Sequence, residues 1–170
     1  MAMDAEGLRA VQAPLKDRYR EAPGDACITL TASGELDGGD LVCRVETGKA
    51  LVEAGLHPAT GGSGLAACSG DMLLQALVAC AGVTLRAVAT ALEIPVRGGT
   101  VRAEGDLDFR GTLAVDREAP VGFTAIRLKL ALDSDASPEQ LATLLKLTER
   151  YCVVLQTLRT TPPATAEYVR

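Results

Sequence analysis

Apolar and polar positions alternate in two different rhythms along this chain. From Met72 to Val88 the rhythm is helical. Leu73, Leu77, Cys80, Thr84 and Val88 recur at three- and four-residue steps, and Leu74, Val78, Ala81 and Leu85 form a neighbouring stripe. Two apolar stripes on one helix imply burial around most of its circumference. Ser69 or Asp71 supplies the start signal, and Pro95 predicts an end near Ala91–Glu93, because the residue before proline leaves the helical region. A second helix is announced by Ser137 as cap, Pro138 at the first helical position, Glu139 at the positive end and Gln140 completing a capping box. Leu141, Leu144, Leu145, Thr148, Cys152 and Leu155 fall along one side of it, and the pattern runs to about Leu158 before Thr160-Thr161-Pro162-Pro163 closes it.

Between and before these helices the rhythm has period two. Cys27 to Thr31 and Leu41 to Val45 read as strands joined by turn residues from Ser33 to Gly39. Val101 to Phe109 and Phe123 to Leu132 read as a second pair, with Arg110 to Gly122 as the loop between them, and Tyr168-Val169 as a last short strand. Residues 1–24 end in Ala22-Pro23-Gly24 and read as an N-terminal extension, partly helical around Ala5 to Ala13, ahead of one domain over 25–170. Helices alternating with hairpins give an α+β class.

Composition narrows the chemistry. The chain is 48% apolar without Trp and with two Phe, so its core is aliphatic. The net charge is −5 with no basic run, which argues against a nucleic-acid partner. Met1 to Ala10 lacks the apolar stretch of a signal peptide. The charge-free apolar run from Met72 to Leu85 is shorter than the ~20 residues that span a bilayer, so no membrane partner is expected. A cytoplasmic location, with thiols kept reduced, is the default expectation. The glycine loop from His57 to Gly64 matches neither nucleotide-binding pattern, and no Lys follows.

The cysteines are Cys27, Cys43, Cys68, Cys80 and Cys152, with no C-x-x-C pair, and His57 is the single histidine. That set fits no zinc pattern, so neither metal nor cofactor is expected. Cys27 and Cys43 fall in predicted strands and read as packing residues. Cys68 stands near a helix start, where it is either a reactive bystander or a filler. His57, beside Pro58, reads as a loop residue or a group at a pocket mouth. Cys80 and Cys152 sit on the apolar stripes of the two helices, where a cysteine is either core packing or half of a facing pair.

The segment Ser69-Gly70-Asp71-Met72-Leu73-Leu74-Gln75-Ala76-Leu77-Val78-Ala79-Cys80-Ala81-Gly82-Val83-Thr84 resembles the pattern P-x-E-L-L-L-A-A-L-x-A-C-x-x-x-T of OsmC-like (organic hydroperoxide resistance) proteins. Thr148-Glu149-Arg150-Tyr151-Cys152-Val153-Val154 resembles that family's A-E-x-Y-C-P-V segment, and the resemblance covers roughly residues 40–165. It implies an intertwined homodimer with two central helices packed on antiparallel sheets. It implies a thiol peroxidase in which Cys80 attacks an organic peroxide, Cys152 resolves the sulfenic acid as a disulfide, and a dithiol reductant restores the pair. It also implies a carboxylate, here Asp71, and an Arg from the N-terminal hairpin. The turn from Glu35 to Asp40 has no Arg, so Arg44, or Arg18 or Arg20, must stand in.

An unassisted thiol titrates near about 8.5, and burial raises it. Cys80 is mid-helix, beyond reach of its own helix's dipole. A competent peroxidase is therefore expected to set a cation beside Cys80, with Arg44 as first choice, held by Asp71. The missing hairpin Arg keeps a second reading open, a non-enzymatic redox-sensing or apolar ligand-binding domain.

Overall fold

A computed structural model of the chain describes residues 4–7, 9–10, 12–13, 21, 33–36, 42–46, 51–114 and 116–169. In order along the chain these form β1 (Ser33–Leu36), β2 (Val42–Glu46), β3 (Leu51–Gly55), a 3-10 turn (Pro58–Thr60), β4 (Ala67–Cys68), α1 (Ser69–Ala91), β5 (Gly98–Leu107), α2 (Phe109–Thr112), β6 (Phe123–Asp133), α3 (Pro138–Tyr151) and α4 (Val153–Thr160). Helices and strands are segregated as an α+β fold requires. The described positions of the Ala5 to Ala13 stretch are helical.

The chain folds as two compact units, one built from residues 76–101 and 130–170 with the N-terminal eight, the other from 9–75 and 102–129. The second unit holds a four-stranded sheet in the order β1-β2-β3-β4. β1, β2 and β3 are antiparallel neighbours, with Glu35 opposite Arg44 and Arg44 opposite Glu53, and β4 joins β3 in parallel at Gly55 and Cys68. β5 and β6 form a separate two-stranded sheet. On β6 the expected alternation holds: Ile126, Leu128, Leu130 and Leu132 turn inward while Arg127 and Lys129 face solvent. Arg127 pairs with Asp106 at 2.5 Å and Lys129 with Glu104 at 2.8 Å, exposed contacts that fix register more than they stabilise.

The first unit contains the aliphatic core. Leu85, Ala89, Ile94 and Leu144 are buried together, with Val88, Val96, Leu130, Leu132 and Ala136 packed against them. The capping box forms as read from the sequence: Ser137 Oγ accepts from Gln140 N, and Gln140 Oε1 accepts from Ser137 N at 2.9 Å. α1 ends at Ala91, two residues before Glu93 takes a left-handed conformation.

Five expectations are corrected. The residues Ser33 to Leu36, read as turn, are strand β1, because their pairing to β2 outweighs weak local propensity; the expected strand over Cys27–Thr31 lies outside the described residues. Strands β3 and β4 carried too little alternation to be read. The second helix does not run unbroken to Leu158 but stops at Tyr151 and restarts at Val153. Tyr168-Val169 is not a strand. Finally, α1 extends beyond the charge-free run at both ends, and its 23 residues are long and apolar enough to cross a membrane by length and composition. The helix is buried on one stripe only, through Leu77, Ala81, Leu85 and Ala89, while Val83 is 72% exposed.

Candidate functional site

The break in the second helix builds the site. Cys152 leaves the helical region with φ −72° and ψ 104°, so it closes α3 and opens α4 at once. Its N–H still reaches the Thr148 carbonyl at 3.0 Å, and its own carbonyl accepts from Gln156 N at 2.9 Å. The first N–H groups of any helix lack an acceptor within it. At the start of α4 those groups belong to Val153, Val154 and Leu155, and they lie beside two sulfurs.

Cys80, half-buried on α1 between Leu77 and Ala81, is one of them; Cys152, fully buried, is the other. Burial is the strongest influence on the Cys80 thiol and pushes it up. Against burial act the Val154 N–H, the Cys152 thiol, the Thr84 hydroxyl and the Val153 N–H, all hydrogen bonding to the Cys80 sulfur, and together they bring it below the ordinary thiol range. Cys152 moves the other way. Burial raises it, the Leu155 N–H lowers it, and the neighbouring Cys80 raises it again, as one negative sulfur disfavours a second. The two neighbouring thiols are thus shifted in opposite directions, Cys80 down and Cys152 up.

The other predicted residues are placed differently. Asp71 is exposed in the first turn of α1, where a carboxylate complements the positive helix end. Nine residues, or two and a half turns, separate it from Cys80, so their side chains leave the helix on opposite sides. Arg44 lies on β2, where the backbone alone is described, and Arg18, Arg20 and Cys27 lie outside the described residues. Among the described residues, none of the groups acting on Cys80 is a cation. The expectation of a cation beside Cys80 rests on Arg44, Arg18 and Arg20, whose side chains lie outside what is described; it considered only the dipole of the helix carrying Cys80 and not the start of a different helix.

Arg86 donates to the Val96 carbonyl at 2.6 Å. Arg150 lies 5.8 Å over the Tyr151 ring, and with Lys146, Glu149 and Arg159 it lines an open, charged cleft of about 530 Å³. Thr148, one turn before Cys152, is fully buried, and its hydroxyl has no hydrogen-bond partner among the described residues. The described residues contain no cluster of His, Cys, Asp and Glu able to hold a metal ion.

Sequence reading missed Thr84 and the α4 start as actors. Thr84 was visible one turn beyond Cys80, but only as a stripe residue. The break at Cys152 carries no Gly or Pro in this chain. The quoted family pattern does carry Pro at the place of Val153, and proline favours the first position of a helix.

A family model described as OsmC-like protein matches residues 61–167. No curated protein matches the sequence. Among solved structures, an OsmC-like protein from Mycoplasma pneumoniae superposes with a TM-score of 0.66 at 15% identity, over 79% of this chain and 89% of that one. An organic hydroperoxide resistance protein OsmC from Legionella pneumophila gives 0.61 at 16% identity, over 78% and 92%. A Vibrio cholerae protein described as a possible organic hydroperoxide resistance protein, with captopril bound in one of its active sites, gives 0.53 at 21% identity, over 79% and 88%. At these identities the likeness establishes a shared fold.

Proposed function

The chain belongs to the OsmC-like family, and on that premise we propose that it is a thiol peroxidase reducing organic hydroperoxides through Cys80 and Cys152. The observation that carries this reading is the shared hydrogen bonding of the two sulfurs, with Cys80 lowered and Cys152 raised. The structural relatives described as organic hydroperoxide resistance proteins support the substrate class.

In this mechanism the Cys80 thiolate attacks the terminal oxygen of ROOH. The S–O bond forms, the O–O bond breaks, and the alkoxide leaves as ROH after taking a proton. Cys80 is then a sulfenic acid. The Cys152 sulfur displaces its hydroxyl, giving a Cys80–Cys152 disulfide and water. A dithiol reductant, oxidised to its own disulfide, returns both thiols. Val153 and Val154 N–H and the Thr84 hydroxyl hold the negative sulfur before attack. Aliphatic residues flank Cys80 on α1, which favours apolar peroxides. The active form is a homodimer, since Val83, Tyr151 and Val153 expose apolar surface on the elements that carry the two cysteines.

The test is direct. Reduced protein is mixed with cumene hydroperoxide, and free thiols and the linked peptides are followed. One peroxide consumed per two thiols lost, with Cys80 joined to Cys152, is the expected result. No loss of thiols at these two positions would instead favour the non-enzymatic, ligand-binding reading, which the lack of an Arg between Glu35 and Asp40 keeps specific.

A further inference from the structure

The chain has two Phe, one His and no Trp. Both Phe and the His line a single cavity of about 360 Å³, together with Cys68 and Gly70. Neither Phe belongs to the aliphatic core cluster. A chain that fills its core with Leu, Val, Ile and Ala has thus placed its scarce rings around an opening. All the described lining residues come from one compact unit, and neither Cys80 nor Cys152 is among them.

The walls are held in place. The His57 ring stacks on Phe109 with centroids 5.1 Å apart and planes 19° apart. Its Nδ1 accepts from Ala59 N at 3.0 Å, and its carbonyl accepts from Thr60 N at 2.8 Å and Gly62 N at 3.1 Å. Phe123 lies across two glycines. A Cβ on Gly105 would come within 2.4 Å of the Phe123 ring, and one on Gly70 would lie 3.4 Å from that ring and 3.7 Å from the Cys68 sulfur. The bare backbone at Gly105 makes room for the ring, while a Cβ at Gly70 would only touch it.

We infer that this cavity is a binding site for a small, uncharged aromatic molecule bearing one hydrogen-bond acceptor, such as an aromatic amide or ketone. The volume lies at the small end of the range for ligand pockets, roughly 300–1,000 Å³, which suits one ring with a short arm. Aromatic walls favour an aromatic guest through stacked or edge-to-face contact. With Nδ1 engaged, the neutral imidazole carries its hydrogen on Nε2 and is a donor. Ser69 and Gly70, at the positive start of the long helix α1, also line the cavity and favour the negative end of a carbonyl dipole. Among the described residues no Lys or Arg lines the cavity, and Asp71 follows directly in the helix, so a full negative charge is disfavoured.

The single histidine and the cavity thiol provide two independent readouts on the whole reduced protein. Cinnamamide is titrated while the one imidazole Hε1 resonance is followed by NMR, and alkylation of Cys68 by iodoacetamide is followed by peptide mass spectrometry. The expected result is a saturable shift of the His57 signal with Cys68 protected at least tenfold at saturation, both giving the same Kd. Hexanamide and cinnamate are expected to bind at least tenfold more weakly. Gly70→Leu, which fills the cavity, is expected to abolish both effects. No His57 shift at millimolar cinnamamide, a shift without protection of Cys68, or equal binding of cinnamamide and hexanamide overturns the proposal. The wild-type readouts decide it even if Gly70→Leu does not fold, and no peroxide chemistry is involved.

Discussion

Two compact units of this chain each hold a cysteine beside packed apolar side chains, and they treat it in opposite ways. In one unit Cys80 is surrounded by donors: two backbone N–H groups, a hydroxyl and a second thiol. In the other, Cys68 lies within van der Waals reach of a glycine that also faces Phe123 and Leu107, in a cavity walled by rings and aliphatic carbon. Both thiols are half-buried, so exposure does not separate them. Donor geometry does. A helix interrupted for one residue turns three unused N–H groups toward sulfur, whereas a strand that ends at a helix start leaves its cysteine as part of a wall.

Substitution of the cysteines should break this comparison most sharply. Cys80→Ser should reduce peroxide consumption by on the order of 10³ or more, while Cys68→Ser leaves it within about twofold. Cys152→Ser should permit one oxidation of Cys80 and then stop, with a sulfenic acid trappable by dimedone and no turnover with a dithiol. Equal effects from Cys68→Ser and Cys80→Ser in a peroxide assay would erase the distinction between the two neighbourhoods.

The next effect concerns assembly. Val83 is 72%, Val153 70% and Tyr151 58% exposed on the elements that bear the thiol pair. Sedimentation should give a dimer at micromolar concentration, and Val83→Glu should shift it toward monomer and slow peroxide consumption together. A wild-type monomer with full activity would contradict this.

Smaller still is the contribution of one donor. Thr84→Val removes the hydroxyl that acts on Cys80 and keeps the shape. Alkylation of Cys80 at neutral pH should slow roughly fivefold, the worth of one neutral hydrogen bond of about 1 kcal/mol, with Cys68 alkylation unchanged. The smallest effect is expected at Thr148, whose buried hydroxyl has no partner among the described residues. Thr148→Val should raise stability by up to about 1 kcal/mol, read as a higher denaturant midpoint with an unchanged slope.

Much of this was legible in the sequence, for reasons that can be named. The capping box at Ser137 and Gln140 is a local device, complete within four residues, so it was read correctly. The alternation on β6 survives because one face is solvated by Arg127 and Lys129. Strands β3 and β4 were missed because Ala54, Gly55, Ala67 and Cys68 carry no period-two contrast, and long-range pairing alone makes them strands. Cys80 and Cys152 were found through motif position. The hydrogen-bond donors around them were not, because these depend on one backbone dihedral pair at Cys152 and on which helix start that bend aims at another helix. Neither quantity is written in residue types, and the only trace was the proline that the family pattern sets where this chain has Val153.

The measurement that bears most directly on the account is the pH dependence of Cys80 alkylation in the reduced protein, resolved by peptide mass spectrometry. Thiolate is the reactive form, so the rate climbs as pH passes upward through the Cys80 titration. Donors at the start of α4, with Thr84 and Cys152, lower that titration from the ordinary thiol value. The account predicts a Cys80 midpoint below that value, unchanged in Arg44→Met and moved upward in Thr84→Val. A midpoint at or above it, or one moved by Arg44→Met and untouched by Thr84→Val, would contradict activation by neutral donors and return the role to a cation.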